Sequence, residues 1–548
     1  MRVKPIRLIG TAALLAILIT GCRGESSVQE QQPTGQRPLF DPPVVITTAK
    51  ALRDFGALSG SDTTENNPIT RWAKDRLGII QKNKWIVTEQ NEALTTRIKL
   101  ALSEGEELPD VLFLTNHDIP ELLESLVDSG KIMDIEQAFE TYAPPRVKEA
   151  YEKNPEVWRT VMVHGKAWGL PQISDGVVGD PILWVRQDWL DKLNLKPPAT
   201  IEELEQVLDA FTYGDPDGNG KADTRGLALA GKNTLNGWMG DASFLFGAYG
   251  DQPYQWNRTK DGTLSYGSVQ PQVKPALIKL NDWYEKGYID PDFGTHDEDK
   301  AASLVTSGVA GIISGPGWMG GWPLVETAAA NPGAVMKPIP YPSGPEGKIG
   351  RVGSKMSYGS YFFRAGFTRM DAVFAYWDAV YGAFIEDPES DFRYGFGEGY
   401  DYIMKDGKPV FDFPGSNHSI SSYLLFGPGS TPPHVIQGES LESRVYRGHV
   451  ETPYEQRLAA TSSKLYLEGR IVGAKQTEHS QRDQFVGPHT RTMALKWPLL
   501  KKLEKETYLK IVYGKAKADA LDEFAEQWFA LGGADITREV NEWDRQSP

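Results

Sequence analysis

Short runs of apolar and β-branched residues alternate with amphipathic stretches from about residue 44 to the end of the chain. The runs predict buried strands at 44–47, 85–88, 111–114 and 309–313. The stretches repeat apolar residues at helical spacing over 68–77, 93–102, 200–211, 277–284 and 521–531. Because parallel strands are joined by crossover helices, this alternation predicts an α/β fold built from parallel βαβ units.

Local end signals support several of these helices. Asn67 before a proline fits an N-cap, and Gly78 fits a C-terminal stop. Thr200 with Glu203 matches a capping box, in which the two side chains bond to each other's backbone N–H. The glycine pair at 532–533 predicts the end of a further helix.

The first 22 residues have a separate pattern. Three basic residues at positions 2, 4 and 7 precede an apolar run over 8–19, and Cys22 follows a small residue. This layout predicts a secretory signal at 1–21 that is too short for a stable membrane span. Its end resembles the lipobox of bacterial lipoproteins, in which the cysteine receives a diacylglyceryl group. We therefore predict acyl chains such as palmitate on Cys22 and anchoring at the extracellular face of the cell membrane.

Cys22 is the only cysteine in the sequence. A single cysteine in an exported protein needs a reason, and lipidation supplies one. The other interpretation is a chance cysteine beside a signal or a short membrane anchor. Residues 23 to about 38 are polar and lack apolar periodicity, which predicts a flexible tether over 22–40 before the folded part.

Charge and length narrow the classes of function. The 548 residues include 58 Lys and Arg against 73 Asp and Glu, so the formal net charge is −15. An acidic surface argues against nucleic acid as a partner and against electrostatic attachment to anionic lipid. The length suggests two or more lobes rather than one core.

One loop has the ligand spacing of an EF-hand. Oxygen donors stand at loop positions 1, 3, 5, 7 and 9, namely Asp215, Asp217, Asn219, the Lys221 carbonyl and Asp223. Gly220 at position 6 permits the sharp turn, whereas Gly226 replaces the bidentate glutamate expected at position 12. We predict a structural calcium ion here. The alternative is a metal-free turn made of residues that favour turns.

Aromatic and polar side chains suggest where a ligand binds. Among the 15 tryptophans, Trp238, Trp318 and Trp322 stand in glycine-rich stretches that are not helix interiors. An indole on such a loop suits the apolar face of a sugar ring, although it can instead anchor its own loop. Polar residues follow predicted strands, where ligand crevices of α/β sheets lie; these are Asp62, Asn66, Asn116 and Asp175. Asn116 is equally suited to capping the next helix.

Common catalytic motifs are absent from the sequence. There is no Gly-x-Ser-x-Gly, no His-Glu-x-x-His and no P-loop, and the eight histidines are scattered. We therefore predict that the protein is not an enzyme. A glycosidase-type carboxylate pair stays open, because a distance in space defines it.

A series of short segments stands in a distinctive order: NPITRW at 67–72, WGLP at 168–171, LWVRQDWLDKL at 183–193, the calcium-like loop, YEKGYIDP at 284–291, YGFGEG at 394–399 and the tail at 524–543. In order and spacing they resemble family 1 extracellular solute-binding proteins of carbohydrate ABC transporters, particularly the large lipoprotein branch of Gram-positive bacteria. Relatives that bind acidic polysaccharides carry a similar calcium loop. Over 409–482 the chain departs from the family pattern.

The resemblance implies a two-lobed, type II periplasmic-binding-protein-like fold with a ligand cleft between hinge-linked lobes. Lobe 1 would comprise 41–180 and about 355–425. Lobe 2 would comprise about 181–354 and 426–548. The chain would cross between the lobes near 177–183 and 354–362.

The resemblance also implies a monomeric receptor that captures an oligosaccharide and delivers it to an ABC permease in the membrane. Candidates for stacking on sugar rings are Trp168, Trp238, Trp318, Trp322 and Tyr361. Candidates for hydrogen bonding are Asp62, Asn66, Asn116, Asp175 and Glu398. Two other functions stay open, a lipid-anchored glycoside hydrolase or polysaccharide lyase, and a peptide-binding receptor.

Overall fold

The computed structural model describes residues 38–546 except 53–57, 59, 89–91, 175, 383–389, 417–422 and 427–439. The predicted signal, Cys22, most of the tether and Asp175 therefore lie outside the described residues. Within them, no helix is long and apolar enough to cross a membrane.

Nine strands build the two main sheets in the part of the chain that the structure describes. The first four are β1 (Val44–Leu52), β2 (Ile79–Thr88), β3 (Val111–Thr115) and β4 (Leu170–Ile173). The next four are β5 (Pro181–Arg186), β6 (Arg225–Ala228), β7 (Ala310–Pro316) and β8 (Met336–Ile339). The ninth is β9 (Ser357–Phe363). Paired two- and three-residue strands complete the set: Met162–Val163 with Lys166–Ala167, Trp256–Arg258 with Leu264–Tyr266, Arg351–Val352 with Ser480–Gln481, and Ile403–Lys405 with Lys408–Val410.

The order of strands in each sheet shows how the chain is divided. The first sheet has the order β2-β1-β3-β9-β4, and the second has the order β8-β5-β7-β6. In the first sheet β1 pairs in parallel with β2 and β3, while β9 is antiparallel to β3 and β4. The chain thus leaves the first sheet after β4, builds the second, and returns through β9.

Helices cover both sheets. Those before residue 160 are Pro68–Trp72, which continues as the π-helical turn Ala73–Leu77, then Ala93–Glu104, Ile119–Asp128, Glu136–Tyr142 and Pro145–Lys153. The middle of the chain adds Gln187–Lys192, Ile201–Tyr213, Ser243–Tyr249, Lys274–Glu285, Glu298–Thr306, Thr327–Ala330 and Met370–Trp377, which continues as the π-helical turn Asp378–Gly382. The last part adds Leu441–Tyr446, Pro453–Thr461, Lys464–Ala474, Arg491–Val512, Ala520–Trp528 and Ala534–Gln546.

Apolar residues from separate parts of the chain form the cores. One cluster draws on 44–173 and 361–426, and a second draws on 183–341 and 493–540. A third, smaller cluster draws on 182–336. In β5, Leu183 and Val185 belong to the second cluster, while Ile182 and Trp184 belong to the third. Because side chains alternate along a strand, the second sheet is covered on both faces, as its continuous apolar runs require.

Two of the predicted helix ends are confirmed, and two differ. The Asn67 side chain accepts from the N–H groups of residues 69 and 70, and Gly78 ends the following turn in the left-handed region. Thr200 caps its helix as predicted, but Glu203 accepts from the N–H of Ala199 rather than from that of Thr200. The glycine pair at 532–533 bends the chain, and a further helix follows directly.

Candidate functional site

A cavity of about 690 Å³ lies between segments that surround the first sheet and segments that surround the second sheet. We call it the cleft cavity. Its size falls within the usual range for small-molecule sites. Residues around the first sheet contribute Asn116, His117, Glu156 and Arg159, and residues around the second contribute Tyr254, Trp256, Tyr266, Trp497 and Lys501. The segments that link the two contribute Lys355, Met356, Arg482, Asp483 and Phe485.

Aromatic rings form a continuous wall of the cleft cavity. The Trp256 ring centroid lies 5.4 Å from that of Tyr266, which lies 5.3 Å from that of Trp497. Phe485 packs edge-on against Trp256 at 6.4 Å. Trp256 and Tyr266 are buried, whereas Trp497 and Phe485 are half-buried. The wall therefore offers apolar surface to a ligand through Trp497 and Phe485, while Trp256 and Tyr266 fix it in the core.

Two polar groups stand against this wall. The Asp483 carboxylate accepts from the backbone N–H groups of Trp256 at 3.1 Å and of Phe485 at 3.0 Å. Burial raises the pKa of Asp483 to about 6, although these two hydrogen bonds act in the opposite direction. The Lys501 ammonium pairs with Glu504 at 2.6 Å and donates to the Tyr266 hydroxyl at 2.9 Å. Both groups are fixed by neighbours, which is the preorganisation that polar recognition needs.

A fully buried ion pair joins the linking segments behind the cavity. Nη2 of Arg351 lies 2.7 Å from Oδ2 of Asp180, and both side chains are 0% exposed. The Ser480 hydroxyl donates to the same oxygen at 2.5 Å, and the Ser354 backbone N–H donates to Oδ1 at 2.6 Å. Arg351 also donates to the carbonyl of Pro181. One carboxylate thus ties together three segments that run between the sheets.

A second contact joins elements of the two cores at the edge of the cavity. The Arg159 guanidinium donates to Asp544 at 2.8 Å and lies 4.6 Å above the Trp543 ring. The backbone N–H of His489 donates to the carbonyl of Pro120 at 2.7 Å. Arg159 and Pro120 accompany the first core, while residues 489 and 544 accompany the second.

Of the predicted ligand residues, Asn116 lines the cleft cavity. Its backbone N–H donates to the carbonyl of Tyr358 at 3.0 Å, and its side chain donates to the carbonyl of Ser357. Asn116 therefore fixes the start of β9 as well as facing the cavity. The five aromatic and four cationic residues of the cavity were missed by sequence reasoning, because they come from distant segments with no shared spacing.

Two predicted polar residues meet in another place. Arg71 donates to Asn66 at 3.0 Å and pairs with Asp62 at 3.5 Å, and the Tyr400 hydroxyl lies 3.4 Å from Asp62. Glu398 is exposed and accepts from the backbone N–H of Met404 at 3.3 Å. Asp62 and Asn66 are thus brought together, but they are not among the residues that line the cleft cavity.

The predicted aromatic residues separate into two groups. Trp238 stacks on Trp318 at 5.6 Å and on Trp322 at 6.4 Å, and Trp238 and Trp322 are 43% and 48% exposed. We call these three residues the tryptophan cluster. Trp168 instead is half-buried against the first core and donates to the carbonyl of residue 163 at 3.0 Å. Tyr361 is 4% exposed, so in this conformation its ring offers no face to a ligand.

Close backbone approach holds the tryptophan cluster in place. A Cβ at Gly317 would lie 2.6 Å from the carbonyl oxygen of Gly469, and one at Gly320 would lie 2.4 Å from that of Leu465. Both partners belong to the helix Lys464–Ala474. Glycine is therefore required at these two positions by packing, which explains the glycine-rich sequence around Trp318.

The EF-hand-like loop is folded on itself. The Asp215 carboxylate accepts from the N–H groups of Gly218 at 3.1 Å and of Gly220 at 3.2 Å. The Asn219 amide donates to Asp217 at 2.6 Å, and the Lys192 ammonium donates to the carbonyl of Asp215 at 3.1 Å. Among the residues that the structure describes, no group of three or more His, Cys, Asp or Glu side chains is arranged to hold a metal ion. The donor chemistry, all oxygen on an exposed loop, is nevertheless the kind that calcium prefers.

Sequence comparison places this chain among known proteins. A family model described as bacterial extracellular solute-binding protein matches residues 67–365, more than half of the chain. The polygalacturonan/rhamnogalacturonan-binding protein YtcQ of Bacillus subtilis (strain 168) is 29% identical over 223 residues, which cover 40% of this chain and 41% of YtcQ. The fructooligosaccharide ABC transporter substrate-binding protein FusA of Streptococcus pneumoniae serotype 4 (strain ATCC BAA-334 / TIGR4) is 27% identical over 301 residues, or 52% of each chain. The chain thus matches about half the length of these curated relatives.

Structural comparison extends the likeness to nearly the whole chain. The alginate-binding protein AlgQ2, in a crystal structure without calcium ion, matches 93% of this chain and 99% of its own with a TM-score of 0.63 and 19% identity. At this identity the likeness shows the fold alone. It confirms the predicted fold class, a two-lobed α/β solute-binding fold.

Proposed function

This chain belongs to the bacterial extracellular solute-binding proteins, and on that premise we propose that it captures an oligosaccharide in the cleft cavity and delivers it to an ABC permease in the membrane. The cleft cavity is the observation that carries the proposal. It combines an aromatic wall with fixed polar groups, which is the chemistry that sugar rings and hydroxyls need. YtcQ and FusA, by their names, bind glycans.

Capture depends on closure of two lobes around the ligand. We propose the lobe limits predicted from the sequence, and the separate cores of 44–173 with 361–426 and of 183–341 with 493–540 support them. A sugar in the cleft cavity would touch both lobes only in the closed form, so binding would favour closure. The contact of Arg159 with Trp543 and Asp544 supports a closed arrangement.

The aromatic wall provides the test of where the sugar binds. Replacement of Trp497 by alanine removes a half-buried ring of the wall, and we expect at least a tenfold loss of affinity for the bound glycan. The tryptophan cluster is proposed as a second stacking surface for longer glycans. A Trp318→Ala/Trp322→Ala variant that binds long and short glycans as tightly as the wild type would contradict that second assignment.

The predicted hydrogen-bonding residues are proposed to contact different parts of the ligand. We propose that Asn116 forms a hydrogen bond with the ligand from the cavity wall. We propose that Asp62, Asn66 and Glu398 form hydrogen bonds with the outer part of a long ligand. Asp175, which lies outside the described residues, stays a proposed hydrogen-bonding residue on the basis of the sequence. Alanine variants measured against glycans of increasing length separate these positions.

We propose that the protein binds glycans without cleaving them, because the family consists of binding proteins. The competing activity is a hydrolase or lyase that uses cavity carboxylates such as Glu156 and Asp483. Incubation with the bound glycan should yield no new reducing ends and no unsaturated products. Their appearance, and its loss in an Asp483→Asn variant, would establish the enzyme instead.

Calcium binding at the EF-hand-like loop and lipid anchoring are the further parts of the proposal. The oxygen donors of Asp215, Asp217 and Asp223 support a structural calcium ion, which would stabilise the loop without contacting the ligand. The signal pattern before Cys22 and the extracellular family support anchoring at the outer face of the cell membrane. The anchor would hold the receptor near its permease.

A further inference from the structure

Two cationic side chains of the cleft cavity have little compensation. The Arg482 guanidinium donates to the carbonyl of Gly176 at 3.1 Å, and its Nε is shielded from solvent without a hydrogen-bond partner among the described residues. Lys355 is exposed and forms no hydrogen bond or ion pair with any residue that the structure describes. A desolvated donor without an acceptor is costly, so Arg482 is suited to an acceptor that a ligand brings.

These two side chains stand on neighbouring segments. Ser480–Gln481 pairs in parallel with Arg351–Val352, and the backbone N–H of Gly353 donates to the carbonyl of Gln481 at 2.8 Å. Arg482 follows the first strand directly and Lys355 follows the second by three residues. A Cβ at Gly353 would lie 2.7 Å from the Arg482 side chain, so that side chain packs on the neighbouring segment.

The other cations of the cavity are already paired. Lys501 is neutralised by Glu504 at 2.6 Å. Arg159 shares the carboxylate of Asp544 with Arg258, at 2.8 Å and 2.9 Å, so two guanidinium groups face one carboxylate. Among the described residues, Arg482 and Lys355 are therefore the Lys and Arg side chains of the cavity that have no carboxylate in an ion pair.

The described acidic groups of the cavity do not pair with these two cations. The charges of Asp483 and Lys355 interact without an ion pair between them, Oδ1 of Asp483 accepts from two backbone N–H groups, and Glu156 is exposed on the turn that carries Arg159. The described residues that line the cavity thus include four Lys and Arg side chains and two carboxylates, in a chain of net charge −15. Low-dielectric walls strengthen the attraction of such a cavity for anions.

We propose that Arg482 and Lys355 bind an anionic group of the ligand, so that this receptor takes an acidic oligosaccharide whose carboxylates enter the cleft cavity. The inference rests on the proposed function and narrows its substrate class. The planar guanidinium of Arg482 matches the two oxygens of a carboxylate, and Lys355 adds a point charge. The half-buried Phe485 ring beside them would hold the sugar ring that carries it.

The experiment is calorimetric titration of the purified protein with matched glycans. The probes are oligogalacturonates and oligomannuronates of three to five units, the same oligomers after reduction of their carboxyl groups, a sulfated oligosaccharide, and kestose as a neutral glycan. The variants are Arg482→Gln, Lys355→Gln and their double, with Lys260→Gln as the control, because Lys260 is an exposed residue away from the cavity. Melting curves verify that each variant is folded.

We expect a uronate oligomer to bind, with its carboxyl-reduced form weaker by about 10- to 100-fold, as loss of a charged hydrogen bond predicts. Arg482→Gln should weaken uronate binding by a similar factor, Lys355→Gln by less, and Lys260→Gln not at all. Preference for the sulfated probe would overturn the carboxylate assignment. Tight binding of kestose or reduced oligomers that the variants leave unchanged would overturn the inference and leave the oligosaccharide receptor standing. Binding of none of the glycans would overturn both.

Discussion

Replacement of Asp180 by asparagine tests the junction that ties the linking segments together. The variant keeps the shape of the side chain but leaves Arg351 buried without a compensating charge. An amide NH₂ group also replaces one of the two carboxylate oxygens. In place of Oδ2 it would face the donors of Ser480 and Arg351, and in place of Oδ1 it would face the Ser354 backbone N–H. Both members of the pair are 0% exposed, so solvent does not screen the loss.

Breaking a buried ion pair by removing one partner costs about 3–5 kcal/mol. We expect Asp180→Asn to lower the free energy of unfolding by that amount, which is a large part of the 5–15 kcal/mol typical of folded proteins. Burial also lowers the pKa of Arg351, but the guanidinium stays charged at neutral pH. Urea unfolding followed by tryptophan fluorescence measures the loss as a lower midpoint.

Two comparisons make the result specific. Asp535→Asn breaks an exposed pair with Arg538 at 3.2 Å, and we expect a change below about 1 kcal/mol. Asp180→Asn/Arg351→Gln removes both charges and should be less destabilised than Asp180→Asn alone, since no buried charge is left unpaired. If Asp180→Asn is as stable as Asp535→Asn, the junction does not stabilise the fold and the reasoning is refuted.

The remaining predictions concern the loop, the anchor and the cavity carboxylate. Calcium at about 100 times its dissociation constant should raise stability by about 2.7 kcal/mol, and a chelator or an Asp217→Asn/Asp223→Asn variant should abolish the rise in melting temperature; equal melting curves with and without chelator would leave only a turn. Cys22→Ser should move the protein from the membrane fraction to the soluble fraction after cell breakage, whereas continued sedimentation with membranes would rule out the lipid as the anchor. Burial raises the pKa of Asp483 to about 6, so the folded state holds this proton more tightly than the unfolded state, and the stability it contributes is lost as pH rises from about 4 through 6. Between pH 4 and pH 8, the free energy of unfolding of Asp483→Asn should therefore rise by about 2 kcal/mol relative to that of the wild type, as measured by urea unfolding. Parallel curves of stability against pH would contradict this.

Local patterns predicted local structure well. The strands predicted at 111–114 and 309–313 are observed as Val111–Thr115 and Ala310–Pro316, and the cap at Asn67 is confirmed. These features depend on residues a few positions apart, whose spacing is visible in the sequence. The end of the helix near residue 532 differs because packing of the following helix, through Ile536 and Val540, continues the structure beyond the glycines.

The cleft cavity could not be predicted from the sequence, because it is formed by contacts between distant residues that no local pattern records. Trp256 was not distinguished from the core tryptophans, because its ring is 2% exposed and lies in a short hairpin strand. Arg482 is the last residue of 409–482, the range in which family motifs do not align, and Asp483 follows it directly. Their role comes from pairing of Ser480–Gln481 with a segment about 130 residues earlier in the chain, which only the fold brings together. Asn116 was predicted because it directly follows a strand; it lines the cavity, and its contact with a ligand stays a prediction.

Titration calorimetry of the purified protein against a panel of acidic and neutral oligosaccharides, with a peptide panel in parallel, tests the central claim most directly. The account predicts saturable binding of one oligosaccharide per protein molecule, a tenfold or greater loss of affinity in Trp497→Ala, and no binding of peptides. Binding of a peptide alone, or of no glycan in the panel, would contradict the assignment of this protein as an oligosaccharide receptor.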